Sequence, residues 1–358
     1  MRALVVRGVG AEPRVEQITL PAPGPGEVRV AIRAAGICHS DLSMVNGTLT
    51  PPYPLVLGHE AAGIVVAAGD RVDRVRAGDH VVLNWAPPCR ECWYCAHGEP
   101  WLCAATGAPA APRGTALADG ASLHVTLGLG ALAEEVVVAE NAVIPVPAEL
   151  PCELTALLGC AVLTGFGAVR RTAGVAAGDA VAVIGLGGVG LATVAAARAA
   201  GAAPVIAVDR AENKRELAIA AGASDFLLSD DTLNRSVRTL TGGRGVDHAF
   251  ECVGRAATIR VAWRATRRGG QVIVVGMGAR DDMLELSALD IFHSARVLRS
   301  SVYGSSDPDR DLPELAGAAL DGTLDLAPLI TDRIVLDEAP AALRRMARGE
   351  GARSVVLF

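Results

Sequence analysis

The chain has 358 residues, enough for two domains, and its apolar fraction of 51% excludes a disordered protein. Its 33 basic and 39 acidic residues give a net charge of −6, which argues against a nucleic-acid partner because such proteins present a basic face. Two uncharged runs, 154–169 and 180–197, are too short or too rich in glycine for membrane helices. With no signal-peptide pattern either, we expect no membrane partner and a cytoplasmic location.

The first 150 or so residues are rich in valine, glycine and proline. Short apolar runs at 28–32, 62–67 and 80–83 alternate with turn signals such as Pro23-Gly24-Pro25-Gly26. This pattern predicts a β-rich domain with tight turns.

A cysteine cluster lies inside this region. Four of the eight cysteines follow the pattern Cys89-x2-Cys92-x2-Cys95-x7-Cys103. In a chain without a secretion signal this clustering indicates a metal rather than disulfides. Four thiolates suit tetrahedral zinc, and a site closed in this way is structural. A chance cluster of free thiols and an iron–sulfur cluster remain as alternatives, although the last gap is longer than in ferredoxin-type runs.

From about residue 151 apolar strands alternate with helices, which predicts a parallel doubly wound sheet. The predicted strands are 180–185, 204–209, 226–228, 249–252 and 271–275, and the predicted helices are 189–200, 212–221 and 259–266. After about residue 290 the pattern is mixed, and residues 353–358 predict a final strand.

A glycine-rich fingerprint, Gly185-Leu186-Gly187-Gly188-Val189-Gly190, follows the first of these strands and opens a helix. This context is typical of a dinucleotide pyrophosphate site. Asp209, at the end of the next strand, would accept the ribose hydroxyls of NAD and repel the 2′-phosphate of NADP. Arg210 beside it weakens that preference, and a glycine-rich turn with a surface aspartate is the alternative.

A dispersed set of residues, Cys38, His59, Glu60 and Cys160, has side chains suited to zinc. No spacing rule brings them together, and each alone is better explained as a buried thiol or a satisfied polar group. Their surroundings, however, resemble the zinc-dependent medium-chain alcohol dehydrogenases. The matching segments are Gly36-Ile37-Cys38-His39-Ser40-Asp41, Gly58-His59-Glu60-Ala61-Ala62-Gly63, the cysteine cluster, Leu158-Gly159-Cys160 with Thr164-Gly165, and the fingerprint.

A narrower resemblance comes from Leu83-Asn84-Trp85, Pro100-Trp101-Leu102-Cys103 and Leu117-Ala118-Asp119-Gly120. These segments are similar to a class III-like actinobacterial branch that includes mycothiol-dependent formaldehyde dehydrogenases. The resemblance implies an α/β protein with a GroES-like β-rich catalytic domain and a Rossmann NAD-binding domain. The implied ranges are 1–152 for the catalytic domain with its structural zinc lobe at 85–104, 153–290 for the Rossmann domain, and 291–358 for a return to the catalytic domain.

The resemblance also implies a role for each matching position. Two zinc ions and NAD are the implied cofactors, with a catalytic zinc at Cys38, His59 and Cys160 and a structural zinc at Cys89, Cys92, Cys95 and Cys103. Glu60 would be an occasional alternative ligand, Asp41 would orient His59, and Ser40 would receive the alcohol proton. The coenzyme would meet His39, Gly185, Gly187, Gly188, Val189, Gly190, Asp209, Lys214 and Arg353.

One position departs from the resemblance. Many members carry a histidine where this chain has Ser43, so the proton relay must end in water, in Ser43 itself or in another base. The implied activity is hydride transfer between a primary alcohol, or its aldehyde, and NAD. Two alternatives are a mycothiol-dependent formaldehyde dehydrogenase and a non-catalytic NAD-binding protein, and a homodimer or homotetramer is expected.

Overall fold

The computed structural model describes residues 1–106 and 111–358. The chain forms two compact units. The first unit comprises Met1–Cys160 and Asp307–Phe358, and the second comprises Ala161–Ser306. The sequence placed the boundaries after residues 152 and 290. The second boundary lies further along the chain here because residues 297–300 add a sixth strand to the sheet of the second unit.

The first unit is built from a closed five-stranded barrel and a seven-stranded sheet. In pairing order the barrel strands are Arg2–Val6, Arg14–Thr19, Gly114–Ala116, Ser122–Val125 and Leu55–Val56. The sheet strands are Val143–Pro145, His80–Leu83, Ala61–Ala68, Glu27–Gly36, Ser354–Leu357 and Asp332–Ile334, with Glu135–Ala139 paired to Glu27–Gly36. The predicted β-rich character of this region is confirmed.

The strand Glu27–Gly36 organises this sheet, because it pairs with three others. Val28, Val30 and Ile32 alternate with more exposed residues and are buried in the core. This period of two is what a strand needs to bury one face. The final strand, predicted at 353–358, lies at Ser354–Leu357 and pairs with the end of Glu27–Gly36.

Within its described residues the first unit has five α-helices: His39–Asn46, Trp93–Ala96, Cys152–Leu157, Pro308–Leu320 and Ala339–Ala347. The first of them begins directly after Cys38, and the second begins directly after Cys92. Two of the cysteines singled out from the sequence therefore stand at helix starts.

The second unit contains a six-stranded sheet in which every pairing is parallel. The strand order is Asp225–Leu228, Val205–Asp209, Val181–Ile184, Val246–Glu251, Thr266–Val274 and Val297–Ser300. Its α-helices are Leu163–Gly167, Gly188–Ala199, Arg215–Ala220, Leu233–Leu240, Ala256–Ala265 and Ala288–Ser294. The predicted doubly wound fold is confirmed, and the last strand and the helix at 233–240 are additions to the sequence prediction.

The helical run Cys152–Ala173 is the one segment, among the described residues, with the length and apolar composition to cross a membrane. Its most apolar window is 78% buried inside the protein, as expected for a core helix. A short π-helical turn, Leu158–Val162, interrupts it, and a second one, Ala168–Ala173, ends it.

Candidate functional site

The fold brings Cys38, His59 and Cys160 together from three distant segments. Cys38 lies between the strand Glu27–Gly36 and the helix His39–Asn46, and His59 precedes the strand Ala61–Ala68. The two sulfur atoms and one imidazole nitrogen lie within 4.8 Å of one another, and all three side chains are buried. Two thiolates and an imidazole are a donor set that suits zinc, and three protein ligands leave the fourth tetrahedral position open.

Cys160 reaches this cluster through a π-helical turn and a close backbone approach. A Cβ atom at the neighbouring Gly159 would lie 2.4 Å from the carbonyl oxygen of Leu83. Only glycine therefore lets this turn pack against the strand His80–Leu83. Single π-helical turns are frequent at functional sites because they redirect a side chain within a helix.

The two buried thiols are hydrogen-bonded to each other, and their pKa values move in opposite directions. A hydrogen bond from Cys160 lowers the pKa of Cys38, and the charges of His59 and Arg353 lower it further against the opposing effect of burial. The same hydrogen bond and burial raise the pKa of Cys160 well above its usual range. A cation with two charges would favour the thiolate form of both groups, which is the form that binds metal.

Asp41 holds the backbone next to two of these ligands. Its carboxylate accepts hydrogen bonds from the backbone N–H groups of Cys38 at 2.9 Å and Gly58 at 3.0 Å. One of its oxygens also lies 3.4 Å from Nδ1 of His59, a distance longer than a strong hydrogen bond. Burial lowers the pKa of His59, but the charges of Asp41 and Cys38 outweigh it and hold that pKa well above the usual range. Nδ1 thus faces Asp41, while Nε2 lies 3.6 Å from the sulfur of Cys160.

Glu60 and Arg353 form a buried ion pair beside the cluster. Nη1 of Arg353 lies 2.8 Å from Oε2 of Glu60 and donates to the carbonyl oxygen of Ile37 at 2.8 Å. Burial lowers the pKa of Arg353, but the charges of Glu60 and Cys38 outweigh it, so the guanidinium stays charged. Sequence reasoning gave Arg353 a coenzyme role, and no signal in the sequence pointed to its pairing with Glu60.

Ser40 and Ser43 lie on the helix His39–Asn46 next to the ligand cluster. Oγ of Ser40 lies 3.9 Å from the sulfur of Cys38, and its side chain is half-buried. Ser43, one turn further along, is buried. His39 starts the same helix and is exposed. The hydroxyl of Ser40 thus lies beside the ligand cluster.

The second cluster is the cysteine lobe, defined as residues 85–104. The sulfur atoms of Cys89, Cys92, Cys95 and Cys103 lie within 4.8 Å of one another. The backbone N–H groups of Cys89 and Cys92 donate to the sulfur atoms of Cys103 and Cys89 at 3.2 and 3.3 Å. Hydrogen bonds from the N–H groups of Cys95 and Ala104 lower the pKa of Cys92 to about 6. Four sulfurs with backbone donors around them fit one tetrahedral zinc with no open position.

The glycine-rich fingerprint lies between the strand Val181–Ile184 and the helix Gly188–Ala199. Gly185 has a φ of +91°, and a Cβ atom at Gly190 would lie 1.9 Å from the carbonyl oxygen of Gly185. A Cβ at Gly187, in contrast, would meet no heavy atom within 4 Å, so this side of the turn faces open space. No side chain of the described residues caps the helix, which leaves its first N–H groups directed at that space. This cradle fits a pyrophosphate.

Asp209 ends the strand next to the fingerprint. Its two carboxylate oxygens accept hydrogen bonds from the backbone N–H groups of Leu186 at 2.8 Å and Ala211 at 3.1 Å. Burial lowers the pKa of Lys214, and the charge of Asp209 opposes that shift, so these two residues lie close together. Arg210 is exposed. The structure thus groups the fingerprint, Asp209 and Lys214 at the carboxyl end of the parallel strands, where ligands bind in such sheets.

Comparison with known proteins agrees with both units. Residues 24–148 match the family model of the alcohol dehydrogenase GroES-like domain, and residues 188–318 match that of the zinc-binding dehydrogenases. The chain is 35% identical to an S-(hydroxymethyl)glutathione dehydrogenase from Photobacterium damsela subsp. piscicida, over 100% of this chain and 99% of that protein.

Solved structures show the same similarity. An alcohol dehydrogenase zinc-binding domain protein from Burkholderia ambifaria is 33% identical, with a TM-score of 0.93, and the match covers 100% of this chain and 98% of that one. Benzyl alcohol dehydrogenase from Acinetobacter calcoaceticus is 27% identical, with a TM-score of 0.91 and coverage of 100% and 99%.

Proposed function

This chain belongs to the zinc-dependent medium-chain alcohol dehydrogenases, and we propose that it performs its chemistry at Cys38, His59 and Cys160. The activity of the family is oxidation of an alcohol, or reduction of its aldehyde, with zinc and NAD as cofactors. The observation that carries the proposal is a buried cluster of three zinc-type ligands with the hydroxyl of Ser40 beside it. A non-catalytic NAD-binding protein would have no need of this set.

The chain supplies positioning and a proton acceptor. Zinc supplies Lewis acidity that makes an alcohol proton easier to remove, and NAD supplies the acceptor for a hydride. Asp41 orients His59 and fixes the loop of Cys38, since it accepts N–H groups on both sides of the cluster. Ser40 accepts the alcohol proton and passes it outward. With Ser43 in place of the usual histidine, the proton leaves through water.

The pair formed by Glu60 and Arg353 keeps a fixed charge arrangement next to the ligands. The carboxylate of Glu60 is held by the guanidinium, so we assign Glu60 a reserve role as an alternative ligand. The coenzyme contacts of His39 and Arg353 stay predictions.

For the substrate we propose a primary alcohol or its aldehyde. A second candidate is the adduct of formaldehyde with a small thiol, because a relative that matches the full length of this chain is named an S-(hydroxymethyl)glutathione dehydrogenase. The test is a panel of alcohols, aldehydes and formaldehyde adducts of glutathione and mycothiol, followed by the change in NADH absorbance. Formaldehyde turnover only in the presence of a thiol would establish the second candidate, and turnover of simple alcohols without a thiol would establish the first.

For the coenzyme we propose NAD rather than NADP, held by the fingerprint glycines, Val189, Asp209 and Lys214. The carboxylate of Asp209 already accepts two backbone N–H groups, and this fixes its position against the turn. An Asp209→Gly variant removes the charge that opposes a 2′-phosphate, so its ratio of kcat/KM for NAD over NADP should fall. Equal use of both coenzymes by the wild type would refute the assignment.

The cysteine lobe is proposed to hold the second, structural zinc. Metal analysis of the purified protein should find two zinc ions per chain. One zinc or none, under conditions that retain tightly bound metal, would contradict the two-site proposal.

We also propose a homo-oligomer built through the outer edge of the second unit's sheet. All four residues of the strand Val297–Ser300 are exposed, and its only pairing among the described residues is with Thr266–Val274. Large apolar side chains are exposed on this strand and on the chain segments that flank it. They are Met277, Met283, Leu289, Ile291, Phe292, Val297, Leu298 and Val302.

An apolar strand edge of this kind binds another strand, and a second copy offers the same edge about a two-fold axis. Phe292 is 79% exposed and Leu298 is 41% exposed. A Leu298→Arg variant should therefore shift the mass measured by light scattering towards the monomer. A wild-type monomer would contradict the proposal.

The location we propose is the cytosol, where the eight free cysteines would stay reduced.

A further inference from the structure

Arg90 has an unusual backbone conformation between the first two cysteines of the lobe. Its φ is +66°, in the left-handed region that glycine enters freely and other residues enter only at an energetic cost. A non-glycine residue persists in such a conformation only when its surroundings determine it. The surroundings of Arg90 therefore contain an interaction that holds it.

The side chain of Arg90 provides that interaction. Nη1 and Nη2 bind the two carboxylate oxygens of Asp307 at 2.8 and 2.5 Å, and Nη2 also binds Asp309. Asp309 receives a second arginine, Arg74, at 2.6 Å. We call these four residues the arginine–aspartate cluster. A bidentate pair of hydrogen bonds to one carboxylate fixes the orientation of a guanidinium as well as its position.

The two aspartates are themselves fixed at the start of the helix Pro308–Leu320. Asp307 is its N-cap, and its side chain accepts the N–H of Asp309 at 3.3 Å. The N–H of Asp307 in turn donates to the carboxylate of Asp311 at 2.9 Å. Burial raises the pKa of Asp309, but hydrogen bonds from Arg74 and Arg90 outweigh it and keep the carboxyl ionised. Arg90 is thus tied to an ordered anchor more than 200 residues away along the chain.

The backbone of Arg90 faces the sulfur atoms. Its N–H group faces the sulfur of Cys95, whose pKa it lowers against the larger opposing effect of burial. The next cysteine of the loop, Cys92, donates its N–H to Cys89 at 3.3 Å. The left-handed turn at residue 90 therefore decides where these donors point. Loss of a partner that orients a metal ligand typically costs about 10–100-fold in metal affinity.

We propose that Arg90 is a positioning residue of the cysteine lobe. Its side chain, clamped by Asp307 and Asp309, holds the loop of residues 89–92 in the left-handed conformation that directs its N–H groups at the sulfurs. Retention of the lobe's metal thereby depends on the helix Pro308–Leu320, where the chain re-enters the first unit. This inference rests on the proposed structural zinc, and the experiment tests the two separately.

The experiment measures the rate at which full-length, zinc-loaded protein gives up metal to an excess of a chromophoric chelator. Arg90→Ala removes the clamp and leaves an L-residue in the left-handed region, so release from the lobe should become about 10-fold faster or more. Arg90→Gly removes the clamp and also the backbone cost, so its rate should lie between that of Arg90→Ala and that of the wild type. A purely structural loss of packing would not separate these two variants in this order.

Two further variants localise the effect. Asp307→Asn keeps a good helix cap but weakens the ionic fork, so it should speed release in the wild-type background and add little in the Arg90→Ala background. Arg74→Ala is the matched control, because Arg74 binds Asp309 without touching the metal loop, and its release rate should equal that of the wild type. Repeating the series in Cys160→Ser, which disables the buried site, assigns the released zinc to the lobe.

A wild-type release rate in Arg90→Ala would overturn the proposal. So would an Arg74→Ala rate equal to that of Arg90→Ala, since the effect would then belong to the ion cluster in general. Failure of the metal-site assignment gives a different result, because zinc content would then be unchanged in Cys92→Ser. With zinc lost in Cys92→Ser, the release rates alone decide the role of Arg90.

Discussion

The two clusters of zinc-type ligands in the first unit are built in opposite ways. The cysteine lobe takes all four sulfurs from fifteen residues of chain, and three of its four cysteines are partly exposed. The other cluster, which we call the dispersed cluster, takes Cys38, His59 and Cys160 from segments up to 122 residues apart and buries all three. A local set can close around its metal with few tertiary contacts, whereas a dispersed set exists only after the sheet has formed.

The hydrogen-bond donors and charged groups around the two clusters also differ in how far along the chain they lie from the ligands. Around the lobe the hydrogen-bond donors to sulfur are backbone N–H groups from the same stretch of chain, residues 89–105. Around the dispersed cluster, charged side chains from the rest of the unit set the electrostatics, namely Asp41, Glu60 and Arg353. The dispersed cluster therefore couples metal chemistry to the fold, as a reactive site requires, while the lobe takes its ligands from one short loop and is tied to the rest of the unit through Arg90.

The largest expected effect separates the two clusters directly. Cys160→Ser removes a ligand from the dispersed cluster, so turnover should fall to the background while the fold persists. Cys92→Ser should mainly lower the thermal unfolding temperature, because a closed metal site contributes folding free energy. The measurements are kcat, circular dichroism and zinc content for both variants. The reverse pattern would mean that the catalytic and structural roles are exchanged.

The next effect concerns the proton at the dispersed cluster. Ser40→Ala removes the hydroxyl next to Cys38, and loss of a general acid–base group costs about 10²–10⁴-fold in rate. Ser43→Ala should change kcat little, since a serine is a poor base and water can replace it. Ser43→His should shift the pH profile of kcat, because it adds a group that titrates near pH 6–7.

A solvent isotope effect on kcat shows whether proton transfer limits the rate of these variants. If Ser43→Ala loses as much activity as Ser40→Ala, Ser43 is a working member of the relay. If Ser40→Ala is silent while proton transfer limits the rate, another group accepts the proton.

The contrast between the clusters also explains what sequence reasoning could find. The four cysteines of the lobe were predicted from spacing alone, because their geometry is local. Cys38, His59 and Cys160 carried no spacing signal, and only resemblance to a family brought them together. Gly159 packs closely against Leu83, and this contact positions Cys160. It is a tertiary contact, so no local sequence pattern predicts it.

The second unit shows the same limit. Its first strands were found because they are continuous apolar runs, as buried parallel strands are. The strand Val297–Ser300 is exposed along its whole length, so it lacks that signal. The helix Leu233–Leu240 did carry one, since Leu233 and Val237 are buried and four residues apart, but its many polar residues hid it. The pairing of Arg353 with Glu60 required the final strand to be placed in the sheet.

A smaller effect is expected at Asp41. Asp41→Asn replaces one of two acceptor oxygens with an N–H donor, which would face an N–H group of Cys38 or Gly58. Loss of such a supporting contact typically costs about 10–100-fold in metal affinity or activity. The measurements are zinc affinity of the buried site and kcat/KM, with the lobe's zinc as an internal reference that should be retained. Wild-type values for both would show that Asp41 does not position the ligands.

The smallest effects compare one added methyl group at each cluster. Gly159→Ala places a Cβ atom 2.4 Å from the carbonyl oxygen of Leu83, so the turn carrying Cys160 must move. Overpacking of this kind costs about 1–3 kcal/mol, and here we expect it to lower kcat as well. Gly98→Ala, the matched change in the lobe, meets no atom within 4 Å but has a φ of +80°, which costs about 1–2 kcal/mol of stability.

The two variants should therefore lose similar stability in thermal unfolding but differ in activity. Gly98→Ala should keep wild-type kcat and two zinc ions, because the strain is confined to the lobe. Gly159→Ala should lose activity beyond what its unfolded fraction explains, because its strain acts on a ligand. Equal kcat in both variants would show that the dispersed cluster adjusts to a shift of its own backbone. The contrast between a rigid buried site and a lobe whose ligands come from one short loop would then fail.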